Sequence, residues 1–449
     1  MNCILRGVRV IDPAAGLDLA GQDVWLSEGR IIAMYRQIEE GTVPVVDLTP
    51  APGQSPCILA PGFIDLHAHL REPGDEAAET VASGARAAAA GGFTQVVAMA
   101  NTDPPIDTPE RVAQACRRAS TAEVQVMVAA AATRGLAGSE VVDIEGCAAA
   151  GAVAFTDDGR NAAAVEVLAE VLRRAADVSR TVLVHPENEA IIGSLAQEAS
   201  ALTRSGMRPE LAETSAVRAA LEALGRAGRG RLHLQHLSTA ASVEMVRRAR
   251  QDGLAVTAEV TPHHLGMWLP VEHLPDPPAL LKVNPPLRGA RDRHALIQGL
   301  RDGVIDAVAT DHAPHRVDEK TGPVGAAAPG MTGLETALAT CITLGGMSGD
   351  WIPVLLERLT AGPHRVLGAA ALRREPRLRV GETATCVLFD PAAEWTVGES
   401  AGHSLSWNTP LLGVRLRGRV LLTISDGVIA HHDEHRLAWP SQLVETAGG

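Results

Sequence analysis

Hydrophobic and polar residues follow two different rhythms along the chain. From Ile4 to Ile11 they alternate singly, Val24-Trp25-Leu26 leads into the turn Ser27-Glu28-Gly29, and Ile31 to Met34 follows. Period-two runs broken by tight turns predict short antiparallel strands. The same rhythm returns from Ala384 to Phe389 and from Val414 to Ile424, with the turn Asp426-Gly427 before Val428-Ile429. Two β-rich ends around a different middle predict a small β-sandwich domain built from residues 1–56 and 372–449. Between them, short apolar runs alternate with longer Ala/Leu/Arg/Glu stretches of helical period. The runs are Cys57–His67, Gln95–Ala100, Val124–Ala131, Ala152–Phe155, Thr181–His185, Arg231–His236, Ala255–Val260 and Ile305–Thr310. Eight buried strands, each followed by helical sequence, predict a (β/α)8 barrel over residues 57–371. An open doubly wound sheet is the alternative, but no glycine-rich dinucleotide or phosphate loop follows any run.

Composition changes this picture in a few places. With aromatic residues at 2% of 449, the core must be filled by Ala, Val, Leu and Ile. A net charge of −13 argues against a nucleic-acid binder, which would carry a basic patch. No membrane span is predicted, because the alanine-rich stretch 84–92 is short and broken by Arg86. Arg6, Arg9 and Asp12 break up the apolar residues at the start, so no leader is expected. Six scattered cysteines without a CxxC pair point to a reducing cytoplasm, not to disulfides or a thiolate metal site. Basic charge is nearly all arginine, and Lys282 and Lys320 are the only lysines.

The ends of the predicted strands carry the candidate chemistry. They read Asp65-Leu66-His67-Ala68-His69-Leu70-Arg71, Asn101, Asp157-Asp158-Gly159, His185, His236, Thr261-Pro262-His263-His264 and Asp311-His312-Ala313-Pro314-His315. In a barrel these ends converge on one face. Residues two apart on a strand share a face, so His67 and His69 can grip one ion, with Asp65 behind them to fix an imidazole. His185 and His236 can hold a second ion, and Asp311 completes the first. Imidazole and carboxylate without thiolate favour Zn²⁺ and admit Mn²⁺ or Co²⁺. Two ions about 3.5–4 Å apart need an anionic bridge. Neither lysine lies on the fourth strand, so the bridge falls to Asp157 or Asp158, only one of which can face the site. Arg71, next in line on the first strand, can hold a carboxylate through two parallel hydrogen bonds.

These motifs, with Met99-x-Asn101-Thr102, Lys282-Val283-Asn284-Pro285-Pro286-Leu287-Arg288 and Gly330-Met331-Thr332-Gly333-Leu334-Glu335, resemble the dihydroorotases, a group of cyclic amidohydrolases. The resemblance covers nearly the whole chain. It is to the bacterial class I type, in which an Asp replaces a carbamylated lysine and lies 27 residues before the strand-5 His; counting back from His185 gives Asp158. It implies two Zn²⁺ per subunit bridged by Asp158 and held by His67, His69, His185, His236 and Asp311. It also implies reversible cyclisation of N-carbamoyl-L-aspartate to L-dihydroorotate. In the hydrolytic direction a hydroxide between the ions attacks the ring carbonyl, and Asp311 carries its proton to the departing nitrogen. His69, Arg71, Asn101 and His315 are implied around the substrate carboxylate, with Asn284, Pro329 and Gly330 against the ring. Three departures bear on the pocket: Ala100 and Pro329 are not the usual residues, and Pro186-Glu187 replaces a Cys-acidic pair. As partners the resemblance admits a homodimer and a complex with aspartate transcarbamoylase. The rivals are a hydantoinase or allantoinase on the same barrel, which typically carries the lysine bridge, and a non-catalytic transcarbamoylase partner. His312 should face away, His263 and His264 should pack or support, and His431 and His432 should lie solvated in a tail. The glycine- and proline-rich segment 316–330 is expected to wall the site, with a lid as its strongest form.

Overall fold

The computed structural model of the protein describes residues 1–39, 41–160, 164–196, 209–267, 279–372, 375–400 and 402–437. The chain opens with β1 (Asn2–Asp12), β2 (Leu17–Ser27), β3 (Arg30–Tyr35), β4 (Val45–Asp47) and β5 (Ile58–Pro61). It closes with β14 (Cys386–Thr396), β15 (Arg415–Ser425) and β16 (Val428–His432). These eight strands form one mixed sheet in the order β16-β15-β14-β5-β1-β2-β3, with β4 beside β1. The two chain ends share a core, since Leu5, Val24 and Leu26 pack in one cluster with Leu388, Leu422 and Ile424. His431 and His432 are part of β16 and half-buried, not in a solvated tail as the sequence led us to expect.

The middle of the chain contributes β6 (Phe63–Ala68), β7 (Phe93–Ala98), β8 (Gln125–Ala130), β9 (Ala154–Thr156), β10 (Thr181–Val184), β11 (Leu232–Leu234), β12 (Val256–Val260) and β13 (Ala307–Val308). They pair in parallel in sequence order, as crossover helices require. Those helices are rich in small residues: Val81–Ala90 follows β6, with Thr80 and Ser83 forming a reciprocal cap at its start. Ala85, Ala87, Ala88 and Ala89 all bury there, so helix and sheet approach closely without aromatic filler. No helix among the described residues is long and apolar enough to cross a membrane.

One predicted strand is two. The run Cys57–His67 breaks at Gly62, so β5 pairs in the mixed sheet while β6 begins the barrel. A Cβ on Gly62 would lie 2.2 Å from the Thr94 hydroxyl, and only glycine lets the chain cross there. Around the crossing the Phe63, Phe93 and Phe389 rings meet, at centroid separations of 5.7 and 6.4 Å from Phe63. Three of the four phenylalanines thus join barrel to sheet.

The barrel closes differently from its other seams. β13 and β6 share no ladder, only an isolated bridge of Ala68 with His312. Asp65 spans the gap: its carboxylate accepts from Thr310 N at 2.9 Å, Thr310 Oγ1 at 2.6 Å and His67 N at 3.2 Å. The expectation that Asp65 fixes an imidazole is therefore corrected. Its lone pairs are spent on pinning the end of β13 to β6.

Candidate metal centre and active site

The six candidate ligands leave the strands at one end of the barrel. His67 and His69 lie at the end of β6, Asp158 two residues past β9, and His185 directly after β10. His236 follows β11 by two residues and Asp311 follows β13 by three. The structure brings them together. His67 Nε2 is 3.3 Å from Asp158 Oδ1 and 3.5 Å from Asp311 Oδ1. His69 Nε2 is 3.4 Å from Asp158 Oδ2 and 3.1 Å from Asp311 Oδ1. His185 Nδ1 is 3.4 Å from Asp158 Oδ1 and 2.8 Å from His236 Nε2. Asp158 thus turns one oxygen to His69 and the other to His67, His185 and His236. Its neighbour Asp157 faces the opposite way and accepts from Ala132 N, Thr133 N and Thr133 Oγ1, which leaves it structural.

Surrounding groups aim the imidazoles. His67 Nδ1 lies 2.9 Å from Glu259 Oε1 and 3.1 Å from Gln235 Nε2. An ionised carboxylate is the stronger acceptor, so the hydrogen sits on Nδ1 and Nε2 faces the centre with its lone pair. His69 Nδ1 donates to Asn101 Oδ1 at 2.9 Å, and Asn101 Nδ2 donates onward to Asp158 Oδ2 at 3.5 Å. His185 Nε2 donates to Glu187 Oε2 at 3.1 Å. Three buried atoms of the cluster have no hydrogen-bond partner: His67 Nε2, Asp158 Oδ1 and His236 Nδ1. Buried polar atoms are rarely left so. Two sets of these residues, His67 with Asp158 and His236, and His67 with His69 and Asp311, draw their ligand atoms within 4.8 Å of one another. Imidazole nitrogens and carboxylate oxygens held in this way fit divalent cations of the zinc type.

The electrostatics agree. Burial works against an ionised Asp158, but His67 and His185 hold its pKa well below the usual carboxylate range. Asp311 is likewise held low by His67 and His69 against the cost of burial. Burial disfavours the His67 cation, yet Asp158 and Asp311 raise its pKa well above the ordinary value, and Asp158 and Glu187 raise His185 to about 9. His236, buried and beside His185, falls to about 3. Backbone strain accompanies the cluster: Arg71, His236 and Asp311 have φ of 57°, 32° and 47°, in the left-handed region.

Beside the centre, Arg71 donates from Nε to Pro314 O at 3.0 Å, and its Nη2 lies 3.4 Å from His315 Nε2. His315 Nε2 donates to Pro329 O at 2.9 Å. Burial first, and then Arg71, pull the His315 pKa down to about 4, so the ring is neutral at pH 7. Gly330 comes back against Ala313 and His315, where a Cβ would lie 2.6 and 3.1 Å from them. Asn284 is half-buried in the preceding segment, one residue before Pro285, whose carbonyl accepts from His264 Nε2 at 3.0 Å. His264 is thereby a packed, satisfied residue. His312 faces away, bonded to Glu79 Oε2 at 3.2 Å and accepting from Gly333 N at 3.1 Å.

Several contributors were not singled out from the sequence. Glu259 and Gln235 hide inside or just after apolar runs, where a lone polar residue in a buried strand is the only signal. In the sequence Glu187 stands out solely as a departure from the family pattern. Asn408, from the distant C-terminal segment, accepts from His315 N at 2.9 Å and donates to Ala313 O at 2.9 Å. Nothing in the sequence marks it.

A family model described as dihydro-orotase-like matches residues 57–240. A dihydroorotase of Anaeromyxobacter sp. (strain K) is 40% identical over 433 residues, covering 96% of this chain and 98% of that protein. One from Aquifex aeolicus is 35% identical, covering 96% of this chain and 100% of its own. Among solved structures, the L-hydantoinase (dihydropyrimidinase) of Arthrobacter aurescens superposes with a TM-score of 0.82 at 24% identity over 96% of each chain, a likeness of fold. With relatives this similar along nearly their whole length, and with a barrel whose strand ends gather four histidines and two aspartates, the chain belongs to the dihydroorotase family.

Proposed function

We propose that this chain is a zinc-dependent dihydroorotase that interconverts N-carbamoyl-L-aspartate and L-dihydroorotate. The observation that carries the reading is the convergence of His67, His69, His185, His236, Asp158 and Asp311 beside the Arg71–His315 pair. Those six side chains would hold two Zn²⁺, with Asp158 facing both. When bound, such a pair polarises the ring carbonyl and lowers the pKa of water.

The remaining work falls to the protein's own groups. Asp311 is ionised at neutral pH, so it accepts the proton of the attacking water. It returns that proton to the ring nitrogen as the C–N bond breaks, and ring closure is the same path reversed. Arg71 has committed Nε to Pro314, which fixes its plane and leaves the terminal nitrogens to the substrate carboxylate. Asn101 keeps His69 in one tautomer and reaches Asp158. Pro329 and Gly330 form the wall against the ring.

The test is direct. Purified, zinc-loaded protein is assayed for hydrolysis of L-dihydroorotate and, in parallel, of dihydrouracil, the same ring without the carboxylate. Strong preference for dihydroorotate is expected. Preference for dihydrouracil would make the protein a hydantoinase, and activity on neither would make it a non-catalytic partner.

A further inference from the structure

The segment 316–330 leaves the barrel mouth after His315 and returns to it at Gly330. Lys320 ends a short 3-10 turn, Val317–Lys320, and is 5% exposed. Lysine is almost never so buried without a partner. Here its ammonium donates to three carbonyls, those of Lys282 at 3.2 Å, Ala328 at 2.8 Å and Gly330 at 2.9 Å. Three acceptors exhaust its donors. Burial, and after it the charge of Lys282, pull the Lys320 pKa down to about 8. A cation is therefore held at neutral pH against its own solvation, with carbonyl dipoles to offset the loss. An apolar residue of similar length would fill the space without that cost.

The places of those carbonyls show what the ammonium controls. Ala328 and Gly330 flank Pro329, whose carbonyl accepts from His315 Nε2 at 2.9 Å. Gly330 N donates to Lys282 O at 2.8 Å, and Gly330 O also accepts from Asn408 Nδ2 at 3.2 Å. His315 in turn lies 3.4 Å from Arg71 Nη2. Lys282 Nζ donates to Gly325 O at 3.0 Å, so both lysines of the chain fasten this one segment. We infer that Lys320 is a positioning residue: it fixes the Pro329–Gly330 wall against His315, and through His315 it sets where Arg71 meets the substrate carboxylate.

The kinetic arm of the test rests on dihydroorotate being the substrate; the exchange arm does not. Zinc-loaded wild type, Lys320→Gln and Lys320→Arg are compared. For Lys320→Gln, KM for dihydroorotate should rise about tenfold while kcat changes less than about threefold, the split expected when binding rather than chemistry is disturbed. Lys320→Arg, which keeps charge and several donors, should recover part of the loss. Amide hydrogen exchange of the intact proteins without substrate should quicken in Lys320→Gln over residues 323–331, with the other barrel strands and the zinc content unchanged. An unchanged KM in Lys320→Gln overturns the inference. So does exchange that quickens throughout the barrel together with loss of zinc, which would make Lys320 a stability element. If wild type does not act on dihydroorotate, the substrate reading fails on its own. Unaltered exchange at 323–331 would then overturn the role of Lys320 separately.

Discussion

Glu259 offers the sharpest test of how the centre is built. Its carboxylate is fully buried and bonded to two imidazoles, His67 Nδ1 at 2.9 Å and His233 Nε2 at 3.0 Å. Burial opposes its charge, yet His233 and His67 hold its pKa at about 2. Glu259→Leu strands two buried N–H donors. Each such donor costs about 1–3 kcal/mol, so unfolding free energy should fall by about 2–6 kcal/mol. That is a large part of the roughly 5–15 kcal/mol margin of a typical domain. Glu259→Gln keeps the shape. Its carbonyl oxygen still accepts from His67, and its amide can donate to His233 Nε2, because His233 can carry its hydrogen on Nδ1 instead and donate from there to Thr257 Oγ1 at 2.8 Å. Stability should then fall by only about 1 kcal/mol, the scale of a single net hydrogen bond. What Gln cannot supply is the negative charge that makes His67 a better ligand, and losing such a partner typically costs 10–100-fold in metal affinity. Urea unfolding of chelator-treated protein reads the first quantity, and zinc titration against a competing chelator reads the second. Wild-type zinc affinity in Glu259→Gln would refute the argument, as would a Glu259→Leu variant no less stable than Glu259→Gln.

Three further outcomes are expected. Asp158→Ala should lose zinc, while Asp157→Ala should keep it and lose stability through the unpaired Thr133 N–H group, since Ala132 N–H retains the Thr156 carbonyl at 3.2 Å; metal analysis of both variants checks the assignment. Asp311→Asn should lower kcat by about 10²–10⁴-fold, the range of a general acid–base group, and steady-state kinetics showing near-native turnover would remove Asp311 from that role. Arg71→Lys should weaken dihydroorotate binding because an ammonium lacks the planar fork, yet treat dihydrouracil no worse than the parent does; equal losses on both would make Arg71 structural.

The barrel could be read from the chain because its strands are buried on both faces and therefore appear as compact apolar runs. The candidate ligands could be read because strand ends converge once that barrel is assumed. What stayed hidden depends on register between distant strands. Glu259 meets His67 across 192 residues, and nothing local in Ala255–Val260 says which partner it will face. Asp65 shows the reverse error. Its spacing from His67 and His69 invites a shared role, but its oxygens are taken by Thr310, 245 residues away. The switch of sheets at Gly62 does not show in the pattern because the apolar run continues on both sides of it. A single glycine in an apolar run was the available hint.

The missing ladder between β13 and β6 has a consequence for how the enzyme comes apart. Every other junction of the barrel is a row of backbone bonds, whereas this one depends on one bridge and the Asp65 carboxylate. A ring with one weak link opens there first. His67 and His69 stand on one side of that link and Asp311 on the other, 3.1–3.5 Å apart across it. A cation shared by them would therefore act as a clasp on the ring, joining catalysis and folding through the same atoms. Because binding adds to the stability of the closed form alone, the barrel should resist heat better as free metal rises, by a constant increment for each tenfold increase above the dissociation constant. Cellular metal supply would then set the lifetime of the fold as well as its activity.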